Sequence, residues 1–557
     1  MTNILVILLQ ILLGLLVLLM PTLAAVFLSI DCGSSDSFTD ANNITWVGDE
    51  TYIKSGKSES VPSAVNSSIA RQYTTRRVFP TGKKNCYSIQ VGKGERVLLR
   101  AHFYYGIKTD ETSTAPQFDL QFDGNPWASV YNISSGLPFY KEVMYLTKFE
   151  AISVCVSRNV FNPDDVSFIS TIEIRNLDLG MYGKLGATYP LFTRRRTNQG
   201  GDKNVRFPDD KYDRVWEPGD IYDRFALRYA GSTELVANYS EVIIADLPNK
   251  PPKSVLQTEI KSSNSSDPGI AIWIVDYEDI GEDEITLYSV FYFLELEQLN
   301  SSEQRSFWIY LNGGNITNPI TPPYGTALEI DLTTNISYSA NKMGTSYDLL
   351  PPSGSTLLPM VNAVEIFQIG NALEASGTNG THVKVLSLLQ KTFVQLQDWS
   401  GDPCLPNDFP WDWIQCTFGS RETAPQVTAL YLGNYGLQGS LPDISPLDTL
   451  QLIDLNNNSL SGEIPRYLAN FPNLNMLNLA NNNFSGLIPS PLTNKSNLTL
   501  VYSGNPNLLC PPNRSSCDIS GNGTSILLPS TNSQSNISKN FLVTIVIVIL
   551  VSVLVSY

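Results

Sequence analysis

Between residues 450 and 489 one spaced pattern occurs twice. Leu450-x-x-Ile453-x-Leu455-x-x-Asn458-x-Leu460-x-Gly462-x-Ile464-Pro465 returns as Leu474-x-x-Leu477-x-Leu479-x-x-Asn482-x-Phe484-x-Gly486-x-Ile488-Pro489, a period of 24 residues. A looser copy precedes it through Leu430, Leu432, Leu437, Gly439 and Pro442, with Tyr435 where the asparagine belongs. A partial copy runs from Leu498 to Leu508. This is leucine-rich-repeat spacing. Its apolar positions point into one continuous core, and each Asn side chain bonds backbone groups at the turn after a short strand. The pattern predicts a short solenoid over 426–517, with Asp454, Asn456, Asn478 and Ala480 on its concave face. A solenoid exposes apolar surface at both ends and needs caps. Cys404 and Cys416 on one side, and Cys510 and Cys517 on the other, sit where caps belong and are expected to pair locally. Leu386, Leu389, Phe393 and Leu396 recur at helical spacing, which predicts an amphipathic helix within an N-terminal cap over 378–425.

The chain before the repeats has another texture. From Val26 to about Phe367, apolar runs rich in Val, Ile, Tyr and Phe alternate with Gly, Pro, Asn and Asp clusters. That reads as all-β, of sandwich or jelly-roll type. At 557 residues the chain has room for roughly three to four domains, so two sandwiches in tandem are expected, over 26–205 and 206–377. Val97–Tyr105, Phe118–Val130 and Ile169–Leu177 form one strand series, and Leu287–Leu296, Phe307–Asn312 and Met360–Phe367 form a similar second one. Thr197–Gly219 reads as the segment joining them. The basic run Arg194, Arg195 and Arg196 reads as a solvated loop.

Both ends are apolar. Ile4–Met20, followed by Pro21 and the small residues Ala24 and Ala25, reads as a secretory signal peptide over 1–25. Residues 518–540 read as a polar stalk and 541–557 as an apolar membrane-anchor tail, either a glycolipid-anchor signal or a transmembrane segment. Secretion predicts frequent N-glycosylation sequons. They stand at Asn43, Asn66, Asn132, Asn238, Asn264, Asn300, Asn315, Asn335, Asn379, Asn457, Asn483, Asn494, Asn497, Asn513, Asn522 and Asn536. In an oxidising compartment the remaining Cys32, Cys86 and Cys155 leave one pair and one free or buried thiol, and the sequence does not choose between them. A net charge of −16 without a basic block argues against nucleic acid as a partner. With only His102 and His382 present, a Cys–His zinc site is excluded, and no metal or cofactor is expected.

Ile30-Asp31-Cys32-Gly33, Arg77-Val78-Phe79-Pro80, Asn85-Cys86-Tyr87, Tyr104-Tyr105-Gly106, Tyr212-Asp213-Arg214-Val215-Trp216, Phe293-Leu294-Glu295-Leu296 and Asn362-Ala363-Val364-Glu365-Ile366 resemble the plant malectin-like domain. Gly401-Asp402-Pro403-Cys404, joined to few repeats, resembles the ectodomain of malectin-like, leucine-rich-repeat receptor kinases. Together the matches run over about residues 28–512. The resemblance implies two malectin folds followed by a short capped solenoid. It implies a cell-surface receptor-like protein or co-receptor that binds a carbohydrate or a small secreted peptide. A partner receptor kinase in the same membrane would carry the signal, because the sequence holds no Gly-rich phosphate loop and no Arg-Asp after either histidine. It also places Tyr104 and Tyr105 near the edge that animal malectin uses for a glucose disaccharide.

Catalysis is not expected. A glycosidase needs two carboxylates about 5–9 Å apart across a cleft. Asp164-Asp165, Asp209-Asp210 and Glu282-Asp283-Glu284 read instead as solvated charge. A structural, glycosylated wall-associated protein is the other non-enzymatic reading.

Overall fold

The computed structural model describes residues 26–509, except 62–68, 107–114, 132, 134–135, 160, 220–231, 237–246, 264–267, 275–283, 338–344, 375 and 421–422. The segments 1–25, 518–540 and 541–557, Cys510 and Cys517, and the sequons at Asn66, Asn132, Asn238, Asn264, Asn513, Asn522 and Asn536 lie outside the described residues. Among the described residues no helix is long and apolar enough to cross a membrane. The protein is mostly β and divides into two compact units, one ending at Leu430 and one starting at Tyr431.

One long sheet organises the first unit. Its strands run in the order Phe38–Thr39, Thr45–Gly48, Phe27–Asp31, Thr171–Leu177, Arg96–Phe103, Phe139–Leu146, Leu191–Gln199, Ala363–Ile369, Glu284–Phe293, Leu328–Ser337. The sheet passes from the earlier strands to the later ones where Val143 pairs with Phe192 and Met144 with Leu191. Strand period 2 explains what each face buries. Val97, Leu99, Ala101 and Phe103 pack one face of the sheet against Tyr87, Leu120, Phe122 and Val154 of a four-stranded opposing sheet. Farther along, Leu287, Phe291, Val364 and Ile366 pack against Ile272, Ile309 and Leu349 of a second four-stranded sheet. On the other side of the long sheet, Leu98, Met144, Tyr182, Trp216, Tyr292 and Phe367 form a third core.

Three readings of the sequence change here. Arg194–Arg196 is no solvated loop: it lies inside the strand Leu191–Gln199, and Arg196 is buried with Glu142 and Glu365 as partners. The alternation of one strand carries it inward, where local charge content gives no warning. Asp210 is buried too, accepting hydrogen bonds from Arg214 Nε and Trp216 Nε1 at 2.8 Å each. The segment read as a joining linker therefore carries core residues, Trp216 and Asp213 among them. Among the first three cysteines, Cys86 and Cys155 are bonded, as neighbours on the paired strands Lys84–Gln90 and Ala151–Arg158, and Cys32 is a buried thiol.

Cys404 and Cys416 form a disulfide within the first unit. The chain around it is held to the sandwich strands. Buried Lys84 donates from Nζ to the carbonyls of Asp402 (2.7 Å) and Leu405 (2.6 Å), and Ser400 Oγ donates to the Cys86 carbonyl. The predicted helix spans Gly380–Thr392, capped by Asn379, whose side chain accepts from the N–H groups of Thr381 and His382. It buries Val385, Leu386 and Leu389, with Leu396 on the 3-10 turn that follows.

In the second unit each repeat contributes a short parallel strand, Leu452–Asp454, Met476–Asn478 and Thr499–Val501. Asn458 Nδ2 donates to the carbonyls of Leu432 and Leu455, and its Oδ1 accepts from Leu437 N–H. Asn482 repeats this with Leu455, Leu479 and Leu460. Asn505 does the same in the partial copy, with Leu479, Tyr502 and Phe484.

Candidate functional site

The strand Arg96–Phe103 sets the candidate site. Its register places Thr171, His102 and Tyr140 side by side on three neighbouring strands. His102 Nδ1 lies 2.9 Å from Thr171 Oγ1 and 3.3 Å from the hydroxyl of Tyr73, which reaches in from the 3-10 turn Arg71–Tyr73. The Tyr73 and Tyr140 rings flank the imidazole at centroid distances of 5.8 and 5.3 Å. Both are part-exposed, and His102 beneath them is buried. Tyr140 donates from its hydroxyl to exposed Glu217 at 3.1 Å. Burial pushes the His102 pKa down to about 4, with Glu173 opposing, so the imidazole is neutral at physiological pH.

The predicted pair Tyr104 and Tyr105 lies beside this group, and the two separate. Tyr104 N–H donates to Ser170 Oγ at 3.0 Å, which draws the residue inward. The residue is 5 % exposed, and its ring packs 6.0 Å from that of Tyr73. Tyr104 therefore offers no open face to a sugar, contrary to expectation, and the outer ring there is Tyr73. Tyr105 stays part-exposed, next to Phe168 at 5.9 Å and under the Arg76 guanidinium at 5.2 Å. Arg76 is held in turn by Glu59 and by the Tyr105 carbonyl. Tyr73, Tyr140 and Glu217 escape a reading of the sequence because they come from separate segments, a 3-10 turn and two strands, that meet only in the fold. The one local signal is the aromatic start Phe139-Tyr140 of a strand.

Beneath the rim lies an ionic cluster. Arg100 donates to Glu142 from Nε (2.9 Å) and Nη2 (2.8 Å) and pairs with Glu173. Arg175 and Arg206 hold Asp213. Burial alone would raise the Glu142 carboxyl, but Arg196 and Arg100 override it and hold its pKa at about 2. Arg100 also lies 5.5 Å below the Tyr140 ring centroid. The two buried carboxylates beneath the rim, Glu142 and Glu173, are thus locked ionised by arginines, which suits anchoring and not proton transfer. Among the described residues no group of three or more His, Cys, Asp or Glu could hold a metal ion.

Of the side chains expected on the concave solenoid face, Asp454, Asn478 and Ala480 are buried and Asn456 is part-exposed. Asp454 Oδ1 accepts from Asn456 N–H at 3.1 Å, and Asn478 Oδ1 from Ala480 N–H at 3.2 Å. This row therefore spends much of its polarity on its own turns.

A family model described as the malectin-like domain matches residues 30–369. The chain belongs to the malectin-like domain family. Two leucine-rich-repeat matches, 449–471 and 473–495, follow the malectin-like region. This malectin-like chain is 32 % identical over 459 residues to a protein of Arabidopsis thaliana named as a probable LRR receptor-like serine/threonine-protein kinase. That alignment covers 79 % of the chain and 49 % of the relative. The chain thus spans about half the length of such relatives. The crystal structure of the ANX2 ectodomain from Arabidopsis thaliana matches with TM-score 0.52 at 18 % identity, covering 62 % of this chain and 97 % of that one. A plant receptor-like kinase, FER, matches with TM-score 0.50 over 62 % of this chain and 96 % of that one, also at 18 % identity. At that identity the likeness is one of fold.

Proposed function

We propose that this chain is a non-enzymatic, cell-surface receptor-like protein or co-receptor. Its malectin-like region, read as two tandem folds over 26–205 and 206–377, takes a carbohydrate or a small secreted peptide. Its leucine-rich repeats present the bound complex to a partner receptor kinase in the same membrane. The chain enters the secretory pathway, is N-glycosylated, and is tethered by its apolar tail, so that the ectodomain faces the cell exterior. The relatives named as receptor-like kinases support the receptor class.

The observation that carries the ligand reading is the rim itself. Two part-exposed tyrosines, Tyr73 and Tyr140, stand over a buried neutral histidine, with Glu217 at the Tyr140 hydroxyl. Aromatic faces pack against the apolar face of a pyranose, while carboxylate and guanidinium groups fix its hydroxyls. The carbohydrate is accordingly the first ligand class to test. The full chain, expressed in plant cells, is to be labelled on intact cells with a membrane-impermeant reagent. The purified protein is then screened against cell-wall oligosaccharides, glucose disaccharides and secreted cysteine-rich peptides. Surface labelling with saturable binding to one class is expected. A protein found only inside the cell, or one that binds neither class, would overturn the reading.

A further inference from the structure

A second aromatic feature lies far along the sequence from the rim. The strand Trp308–Leu311 turns tightly through Asn312 (φ 51°) and Gly313 (φ 79°) into Gly314–Asn315. Two successive positive φ values are those of a two-residue type I′ hairpin, for which Asn-Gly is the preferred pair. The register pairs Leu311 with Gly314 and Tyr310 with Asn315, and Ile316 N–H then donates to the Ile309 carbonyl at 3.0 Å. Tyr310 and Asn315 therefore form a non-hydrogen-bonded pair, the kind whose side chains stand closest. Ile309 points into the core, so alternation turns Trp308 and Tyr310 outward. Both are part-exposed, and Trp308 stands edge-on to Tyr310, with centroids 6.3 Å apart at 82°.

Asn315 opens the sequon Asn315-Ile316-Thr317 and is exposed. Its Oδ1 accepts from Thr317 N–H at 3.0 Å, which fixes the carboxamide and turns Nδ2 to its other side. Several other described sequon asparagines are used differently. Asn335 Oδ1 accepts from Thr286 across a strand pair, Asn379 caps a helix, and Asn457 Nδ2 donates to Asn434. Asn315 is set directly across from an outward aromatic ring.

We propose that Asn315 carries an N-glycan whose first sugar lies on the Tyr310 ring, with Trp308 behind it, so that the fold holds the base of its own glycan. In the modification, Asn315 Nδ2 attacks the anomeric carbon of a lipid-pyrophosphate-linked oligosaccharide. The carbon–oxygen bond to the pyrophosphate breaks, the lipid pyrophosphate leaves with that electron pair, and the amide nitrogen gives up one proton. A sugar on Nδ2 starts one residue's reach from the ring opposite. Its apolar face covers aromatic surface that the strand would otherwise leave to water.

The proposal rests on the secretory reading, and the test separates the two. Full-length protein from plant cells is digested, and occupancy is read by mass spectrometry at Asn315, Asn43 and Asn300. Intact protein is then treated with a peptide-N-glycosidase under native conditions, and release is timed at each site. Occupied Asn315, released about twofold to tenfold more slowly than Asn43 and Asn300, is expected. That protection should vanish in Trp308→Leu/Tyr310→Leu and persist in Tyr310→Phe, which keeps the ring. Release at equal rates, or protection that survives loss of both rings, overturns the proposal. So does an empty Asn315 beside glycosylated Asn43 and Asn300. No glycan at any of the three overturns it together with secretion.

Discussion

Glu142 and Arg196 meet with Oε1 and Nη1 2.8 Å apart and neither side chain exposed to solvent. They belong to Phe139–Leu146 and Leu191–Gln199, the two strands that carry the long sheet from its earlier to its later half. The backbone pairing there covers only Val143 with Phe192 and Met144 with Leu191. Arg100 reaches Glu142 from one side, and Arg196 continues to Glu365 on the other. The buried ions thus join four strands at a joint where main-chain pairing is only two residue pairs long. Removing one partner of a buried pair leaves a charge unmatched, at a cost of about 3–5 kcal/mol. Glu142→Gln is expected to lower stability by that order, read as a fall in the denaturant midpoint. A change near zero would show that the joint does not depend on the pair.

Gly401 packs onto the Cys86–Cys155 disulfide. A Cβ at Gly401 would fall 2.5 Å from Cys86 Sγ and 3.2 Å from Cys155 Sγ, and the residue has φ +75°. Both the contact and the left-handed backbone disfavour a side chain. Gly401→Ala is expected to cost about 2–3 kcal/mol, from the αL penalty and the overpacking together. Thermal unfolding of the variant beside Gly380→Ala, where a Cβ meets nothing within 4 Å, checks this.

In the solenoid, Asn482 is the test of the ladder. Its amide satisfies the carbonyls of Leu455, Leu479 and Ala480 and the N–H of Leu460. Asn482→Ala orphans these buried groups and is expected to cost at least about 1–3 kcal/mol. Hydrogen exchange should locate the loss in the repeats, with the Leu460 amide among the first to exchange faster.

These cases show what was legible in the sequence. The solenoid declared itself because every repeat needs the same residues at the same offsets, so Ile453 and Leu477, or Asn458 and Asn482, announce one another. Asn505 performs the same task, but the short last copy lacks the flanking pattern that would mark it. The β character of the first unit was visible in its alternating runs, and the malectin-like resemblance rested on scattered short motifs. The rim was not visible, since strand pairing sets Tyr140 beside His102 and a 3-10 turn distant in the sequence brings Tyr73 to them. Burial of Arg196 and Asp210 was missed for a related reason. Composition marks them as surface residues, and only the tertiary fold supplies the opposite charges that let them enter a core.

The titrating groups predict greater stability in mild acid. Burial raises Asp31 and Asp123 from 3.8 to about 6 and Glu329 from 4.5 to about 7. An acid raised on folding contributes stability that is full below its unfolded value and is lost as pH rises through the folded one. Those three contributions fade between about pH 4 and 7. His102, lowered from 6.5 to about 4 by burial, works the other way: its contribution is present above 6.5 and is lost as pH falls toward 4. Three acids outweigh one histidine, so the melting temperature is expected to be higher at pH 5.5 than at pH 7.5. A melting temperature that falls over that interval would show that the acids are not held as the structure places them.

Ligand binding at the tyrosine rim is tested most directly by affinity for the oligosaccharide or peptide that binds the intact chain, measured by calorimetry with Tyr73→Ala, Tyr140→Ala and Tyr104→Phe side by side. Loss of a stacking ring should weaken binding about tenfold or more in each of the first two variants. Tyr104→Phe, altering a buried residue, should bind as the unsubstituted chain does. Binding that survives both Tyr73→Ala and Tyr140→Ala in folded protein would contradict the account and place the ligand elsewhere.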